Sequence, residues 1–434
     1  MKKSFVIFLF LSSTLFAKEV SLEAIFKHAS KNALSIKMKQ LDASIEASGI
    51  ESAESGYYPT FNVVYNTEYT ESLDGIPLGT ESVGGITISN GTRYQSSAAL
   101  QMNYNLYSFG ATDKEVLAAK HSAQAKTKEQ CLQEQQLYEQ ILEKYTDALK
   151  LQRDEKYKKE MLFVRKELYS AKERLYRAGQ YSKVDLGDEA IYIISLERDI
   201  ENALLQYKQD IIKLSELSYM PLDAEDSLIS IAIDKNSTAL LSSFETTTQA
   251  QMLKKQIEAK KAEISLQTRK QLPSLSMYGN YYLYASDPKE YDYPVTHMRQ
   301  KSWNIGFSIR FNLFNGFKDN SQSKRLSLEL QKLQEQFNDA KHSFIYENRS
   351  KTAQLSELSV LQSKDEKLLA ENKNKLVMIK RLRTHQKVDL LTELNARYEL
   401  LERSLNLEKR KIERASTAIS LKIANRGEKQ CTQH

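Results

Sequence analysis

Two long stretches without glycine or proline constrain the fold of this chain most strongly. They cover residues 111–178 and 319–384. Because both residues interrupt helices, their absence over such lengths favours two continuous α-helices, the first roughly 100 Å long at 1.5 Å per residue. Each stretch is followed by a second segment, 183–217 or 387–425, in which apolar residues are spaced three and four apart. This spacing predicts two long antiparallel coiled-coil hairpins.

Landmarks around these stretches recur in the same order, which indicates an internal duplication. The matching pairs are Pro59 and Pro273, Asn105-Leu106-Tyr107 and Asn312-Leu313-Phe314, and Val184-Asp185-Leu186 and Val388-Asp389-Leu390. Their separation falls only from 214 to 204 residues along the chain. We therefore predict a first repeat over 18–217, a mixed segment over 218–248, a second repeat over 249–425 and a flexible tail over 426–434.

Each repeat also contains two segments in which apolar and polar residues alternate. They cover 59–71, 92–107, 273–285 and 301–314. Alternation over ten or more residues predicts β-strands, and such lengths match the roughly 9–11 tilted residues that cross a membrane, whereas soluble strands average about 5–6. A soluble sandwich would show the same alternation. The clearest lipid-facing candidates lie in the fourth segment and are Trp303, Ile305, Phe307, Ile309 and Phe311.

Four strands are too few to close a barrel, and lipid does not tolerate unpaired strand edges. The sequence therefore predicts that several copies of the chain share one barrel. The predicted fold is mainly α with a β-barrel part, and it combines long antiparallel coiled-coil helices with four transmembrane strands per subunit. A coiled-coil stalk would show similar helices, but it would lack the amphipathic strand pairs.

The first 17 residues have the layout of a secretory signal peptide. Lys2 and Lys3 precede a short apolar run, and we expect cleavage after Ala17, although Leu15 is larger than usual at the third position before the cut. The alternative is an uncleaved anchor. The net charge of +6 is spread along the chain, whereas nucleic-acid binding needs a clustered basic face. We therefore expect no nucleic-acid partner.

No sequence motif for catalysis or for a bound metal or cofactor is present. The chain has no P-loop, no H-E-x-x-H, no G-x-S-x-G and no C-x-x-C, and its six histidines are dispersed. Cys131 and Cys431 lie far apart; they either pair or remain as one buried and one terminal thiol. We predict that the protein is not an enzyme and needs no cofactor.

The duplicated pattern resembles the TolC-like outer-membrane efflux protein family. Pro59, Pro273, the Asn-Leu-Phe-Asn-Gly-Phe run at 312–317, its weaker echo at 105–110 and the two Val-Asp-Leu turns carry the resemblance. The resemblance implies a trimer in the outer membrane in which each subunit gives four strands to one 12-stranded barrel. It also implies that the helices form a periplasmic tunnel.

In this family the tips of the helical hairpins form a closed aperture and meet a periplasmic adaptor protein. The corresponding residues here are Arg177, Ala178, Gly179 and Gln180 in the first tip and Thr384 and His385 in the second. The second tip lacks the glycine that family tips commonly carry. Gly179 also suits any helix-ending turn, so its presence alone does not establish docking.

The resemblance also implies charged residues at the aperture. Asp389 matches an inward-facing carboxylate, and threefold symmetry would make it a ring of three charges that favours cations. Glu393, one helical turn further on, would form a second ring. Asp185 is predicted to pair with Arg381 or Arg383 of the neighbouring hairpin and to hold the aperture shut. The alternative is that all five are ordinary solvated charges.

These predictions converge on a passive export duct in the outer membrane. It would serve a tripartite efflux pump or a type I secretion system, with an adaptor and an inner-membrane pump as partners and the pump as the source of energy. The alternative function is a structural coiled-coil stalk or adhesin of the cell envelope.

Overall fold

The computed structural model describes residues 19–70, 82–83, 86–87, 94–231, 243–287 and 289–426. The predicted signal peptide at 1–17, Cys431 and all of the predicted tail except Arg426 lie outside the described residues. Cys131 is partly exposed.

Helices make up most of the described chain. They are α1 (Leu22–Asn32), α2 (Leu34–Glu54), α3 (Ala111–Arg177), α4 (Lys183–Ser218), α5 (Thr248–Lys270), α6 (Asp292–Thr296), α7 (Lys318–Thr384) and α8 (Leu390–Ala424). The stretches without glycine and proline become α3 and α7, each 67 residues long, so the prediction of two very long helices is confirmed. None of the described helices is both long enough and apolar enough to cross a membrane.

The described strands form one four-stranded sheet and two small pairs. Their bounds are β1 (Glu19–Val20), β2 (Thr60–Tyr69), β3 (Ser82–Val83), β4 (Ile86–Thr87), β5 (Tyr94–Tyr107), β6 (Ser227–Leu228), β7 (Ser274–Asp287) and β8 (Gln300–Arg310). The large sheet has the order β2-β5-β7-β8, and all its neighbours are antiparallel. The prediction of two strands from each repeat is therefore confirmed.

Two predicted boundaries differ from the structure by three residues or more. The fourth strand ends at Arg310 and not at 314, so Phe311 lies beyond the strand. Arg310 pairs with Ser274, the first residue of β7 after Pro273, and the chain therefore offers no partner strand to the residues that follow. The last long helix begins at Leu390 and not at 387, because Asp389 is its N-cap.

The chain divides into two compact units. Unit 1 comprises Met1–Gln40, Lys128–Gln251 and Asp339–His434, and unit 2 comprises Leu41–Thr127 and Met252–Asn338. Unit 2 contains the large sheet. Unit 1 contains the ends of both helical hairpins and a core in which Tyr145 is completely buried.

Tyr145 links the helices of unit 1 to its small parallel sheet. Its hydroxyl lies 3.0 Å from the carbonyl oxygen of Val20 and 2.6 Å from that of Ile229. Val20 belongs to β1 and pairs with Leu228 of β6. A buried hydroxyl needs such partners because an unpaired polar group in an apolar core is costly. Tyr145 therefore fastens both short strands onto α3.

Candidate functional site

One face of the large sheet is apolar and exposed. The register aligns one apolar residue from each strand across this face, and the aligned residues are Val63, Leu100, Tyr281 and Trp303. Val63 at one edge is 78% exposed and Trp303 at the other is 73% exposed. Of the predicted lipid-facing residues, Ile305, Phe307 and Ile309 share this face in β8, and all three are more than half exposed.

The opposite face is polar. The next aligned row on this face contains Asn62, Gln101, Asn280 and Asn304, and the amide of Asn280 donates to the side-chain oxygen of Asn304 at 2.9 Å. Tyr282 departs from the polar pattern, and its position explains why. Its ring packs on this face with Ala99 and is only 6% exposed.

A glycine of β8 lets a neighbouring aromatic ring lie flat against the sheet. Gly306 pairs with Tyr278, and a Cβ on Gly306 would come within 2.7 Å of a carbon of the tyrosine ring. An aromatic side chain over a strand glycine covers the backbone that the glycine leaves bare. The Gly306–Tyr278 pair is therefore part of the polar face and not a defect in the strand.

The turns that lead from the sheet into α3 and α7 share one unusual backbone shape. Phe109 and Gly110 have φ angles of 53° and 73°, and Gly316 and Phe317 have φ angles of 68° and 65°. Phenylalanine and glycine therefore exchange places between two equivalent turns. A left-handed phenylalanine is strained, which indicates that both turns are held by their surroundings. In the first, Arg269 donates to the carbonyl oxygen of Phe109 at 2.5 Å.

The first hairpin tip reverses direction through a glycine. Gly179 has a φ angle of 73°; its N–H donates to the carbonyl oxygen of Tyr176, and the N–H of Gln180 donates to that of Leu175. These two bonds form the Schellman arrangement that ends many helices. The return helix α4 then starts with a capping box made by Ser182 and Asp185.

The second tip has the same geometry without the glycine. Gln386 occupies the left-handed position with a φ angle of 56°; its N–H bonds to the carbonyl oxygen of Arg383, and that of Lys387 bonds to Leu382. Asp389 caps α8 by accepting from the N–H of Thr392 at 2.8 Å. The second tip thus keeps the turn geometry of the first although it lacks the glycine.

Both predicted tip aspartates are held as carboxylates. The hydroxyl of Ser182 donates to Asp185 and lowers the pKa of that carboxyl below its usual value. The hydroxyl of Thr392 lowers the pKa of Asp389 in the same way. A hydrogen bond that favours the charged form lowers the pKa of an acid. Both groups are therefore ionised at neutral pH.

The predicted charge pairs have other partners in the described chain. Arg383 donates to Glu393 of its own hairpin at 2.5 Å. Asp185 accepts from Ser182, so the chain does not itself join Asp185 to Arg381 or Arg383. Arg383 therefore neutralises Glu393 within one hairpin, and the second acidic ring stays a prediction. Arg177, Ala178, Gly179, Gln180, Thr384 and His385 are all exposed at the two tips.

A buried ionic cluster near the tips is missed by the sequence analysis. Glu189 of α4 is 4% exposed and lies 3.2 Å from Arg165 and 2.8 Å from Lys172, both on α3. A sequence signal does exist. The buried residues of α4 follow a heptad pattern in which Glu189 falls seven positions before Leu196, so it occupies a core position of the coiled coil.

The two hairpins contact each other beside this cluster. Val164, Leu168 and Ala171 of α3 form one apolar cluster with Leu391 and Leu394 of α8. A charged pair also joins the two hairpins, since Arg397 of α8 lies 3.3 Å from Glu167 of α3. Among the described residues, no group of three potential ligands is placed to hold a metal ion.

Comparison with known proteins supports the predicted family resemblance. Residues 26–218 match the family model described as "Outer membrane efflux protein". The matched segment, somewhat less than half of the chain, is therefore similar to outer membrane efflux proteins. The match supports the predicted family resemblance and the predicted role as an outer-membrane efflux channel. No curated protein matches the chain significantly.

Several solved channels share its fold. CusC, described by its transmembrane channel formation, has 18% identity and a TM-score of 0.76 over 94% of this chain and 92% of its own. The outer membrane channel CmeC of Campylobacter jejuni has 15% identity and a TM-score of 0.78 over 93% and 85%. VceC of Vibrio cholerae has 14% identity and a TM-score of 0.75 over 93% and 94%.

Proposed function

We propose that three copies of this efflux channel close one twelve-stranded barrel, which forms the outer-membrane duct of a tripartite pump. The observation that carries this proposal is the pair of open edges of the sheet. Within the described chain, β2 pairs only with β5, and β8 pairs only with β7. An open edge in lipid leaves backbone groups without hydrogen bonds, which costs several kcal/mol for each group.

The strand directions allow these edges to pair between copies. Because each neighbouring pair in the sheet is antiparallel, β8 runs opposite to β2. β8 of one copy can therefore add to β2 of the next as another antiparallel neighbour, and three copies supply twelve strands. The exposed apolar face that carries Trp303 and Ile305 would then contact lipid, as in other membrane barrels.

The hairpin tips are proposed as the periplasmic aperture and as the docking site for an adaptor protein. Asp389 is the best candidate for a ring of charge, because it is ionised and its hydrogen bonds are local. Arg383 and Glu393 form a neutral pair within one hairpin. An inner-membrane pump would supply the energy, since the channel itself is passive.

Purified protein in planar bilayers tests this function. We expect trimers in detergent that dissociate on heating and give stepwise single-channel currents. A coiled-coil stalk would form no conducting steps. A monodisperse monomer that stays in solution without detergent would contradict the shared barrel. The fraction of inserted trimers provides the control, because it separates a closed channel from an absent one.

A further inference from the structure

The polar face of the four-stranded sheet carries charge only near its two ends. In the described strands, Glu68 lies near the end of β2 that leads to residues 71–93, and Arg310 is the last residue of β8. Glu68 is aligned with Gln95, and Arg310 is aligned with Ser274. Both side chains are exposed. The face therefore has an acidic end and a basic end.

Between these ends the face is rich in hydrogen-bonding groups and free of charge. Its central row is the set of amides formed by Asn62, Gln101, Asn280 and Asn304. Asn62 lies six residues from Glu68 and Asn304 lies six residues from Arg310, which is about 20 Å in each direction at 3.4 Å per residue. The Debye length is about 10 Å at 0.1 M salt, so solvent screens the row from both charges.

We infer that the bore of the barrel is electrically neutral along its middle, with an acidic ring of three Glu68 side chains at one end and a basic ring of three Arg310 side chains at the other. The inference rests on the proposed trimeric barrel. The amide rows would then offer hydrogen bonds to solutes of either charge, so the barrel would select by size and polarity. The Arg310 ring would concentrate anionic groups where cargo passes between helices and strands.

Charged thiol reagents measure the local potential at chosen positions. In a Cys131→Ser, Cys431→Ser background, single cysteines are placed at Asn66, Asn304 and Ser308, with Ile305→Cys as the control on the other face. Trimers in lipid are treated with a cationic and an anionic methanethiosulfonate, and the labelling rates are read from intact mass. The ratio of the two rates on one thiol cancels its thiolate fraction. Dividing it by the same ratio for a free thiol in the same buffer removes the intrinsic difference between the reagents, and this normalised value is the rate ratio used below.

The neutral middle predicts a rate ratio within about threefold at Asn304→Cys in 0.1 M salt. Near the Arg310 ring, Ser308→Cys is expected to react roughly tenfold faster with the anionic reagent at low salt, and Arg310→Gln should remove this preference. Asn66→Cys should show the opposite preference, which Glu68→Gln removes. Ile305→Cys should react with neither reagent, because it faces lipid.

Each result that differs from these expectations would overturn a specific part of the inference. Labelling of Ile305→Cys with protection of Asn304→Cys would invert the two faces and overturn the barrel as well. Conducting trimers with a strong charge preference at Asn304→Cys would overturn the neutral bore alone. A missing preference at Ser308→Cys, or one that survives Arg310→Gln, would overturn the basic ring. A missing cationic preference at Asn66→Cys, or one that survives Glu68→Gln, would overturn the acidic ring.

Discussion

The guanidinium carbon of Arg165 lies 4.1 Å from the ring centroid of Tyr398, so a side chain of the first hairpin is held by a ring of the second. Tyr192 covers Arg165 as well, at 4.4 Å, and Glu189 provides the counter-charge. Arg165 of α3 therefore contacts both α4, the return helix of its own hairpin, and α8 of the second hairpin. Any movement that separates α3 from α8 must break the Arg165–Tyr398 contact.

Loss of this ring contact is expected to loosen the tips. Tyr398→Leu should destabilise the trimer by about 1 kcal/mol, because a cation–π contact contributes roughly 0.5–2 kcal/mol according to its burial. Tyr398→Phe keeps the ring face and is the matched control. Thermal unfolding at a fixed scan rate and the open probability of single channels measure the effect. Equal losses in both variants would assign it to the hydroxyl and not to the ring.

Removing the negative charge of the buried Glu189 is expected to cost more stability than losing the ring contact. Glu189→Gln leaves Arg165 and Lys172 without their counter-charge, and breaking a buried pair in this way costs about 3 kcal/mol. Glu197→Gln is the control, since its pair with Lys166 is half exposed and such pairs contribute about 0–1 kcal/mol. Unfolding midpoints that fall equally in the two variants would show that the buried Glu189 cluster contributes no more stability than the half-exposed Glu197–Lys166 pair.

Replacing one residue of the second tip by glycine should stabilise that tip. Gln386 has a left-handed backbone, which costs a non-glycine residue roughly 1–2 kcal/mol. Gln386→Gly should therefore raise the stability of the tip by about 1 kcal/mol, and Gly179→Ala should lower it by a similar amount. A Cβ on Gly179 meets no atom within 4 Å, so its effect is purely conformational.

Gly187→Ala supplies the control for both tip variants. Gly187 lies inside α4 with open space around it, and alanine there should stabilise the helix by up to about 1 kcal/mol. Proteolysis at the tips reports local stability, and thermal unfolding reports the whole molecule. A Gln386→Gly variant that is cleaved faster than the parent would contradict the backbone argument.

The long helices and the strands are predictable because they depend on local patterns. Absence of glycine and proline defines α3 and α7, and alternation defines the four long strands. The strand ends are less predictable, because β8 ends where β7 stops offering partners at Ser274. A single sequence does not contain that register.

The site is predicted less completely for a similar physical reason. The tips and Asp389 are predicted from the family resemblance that the Val-Asp-Leu turns help to carry, but the partners of their charges depend on geometry. Arg383 reaches Glu393 of its own hairpin, a contact that spacing alone does not select. Tyr282 is an exception to the polar alternation, and only the packing against Ala99 accounts for it.

The charge of Asp389 and its capping role can be separated by two substitutions. Asp389→Asn keeps an N-cap oxygen, whereas Asp389→Ala also removes the cap and should cost about 1 kcal/mol more. If Asp389 forms the proposed ring, both variants lower cation selectivity equally, as measured by the reversal potential in a salt gradient. An unchanged reversal potential in Asp389→Asn would discard the ring and leave Asp389 as a cap alone.

The pH dependence of Asp389 follows from the direction of its pKa shift. Its folded pKa is lowered, so its stabilising contribution is complete above the pKa of the unfolded chain and disappears as the pH falls through the folded value. The carboxylate stays charged between pH 5 and pH 8. Selectivity that depends on Asp389 should therefore be constant over this range, and a change within it would show that another group controls selectivity.

Adjacent residues of β8 provide the sharpest test of which face meets lipid. Ile305→Lys places a charge on the apolar face, where a lysine costs roughly 2–4 kcal/mol near the middle of a membrane. Asn304→Lys places the same charge one residue away on the polar face. We expect Ile305→Lys to abolish assembled trimers in the outer membrane and Asn304→Lys to be tolerated, as measured by unheated electrophoresis of membrane fractions. Normal assembly of Ile305→Lys would mean that this face does not contact lipid.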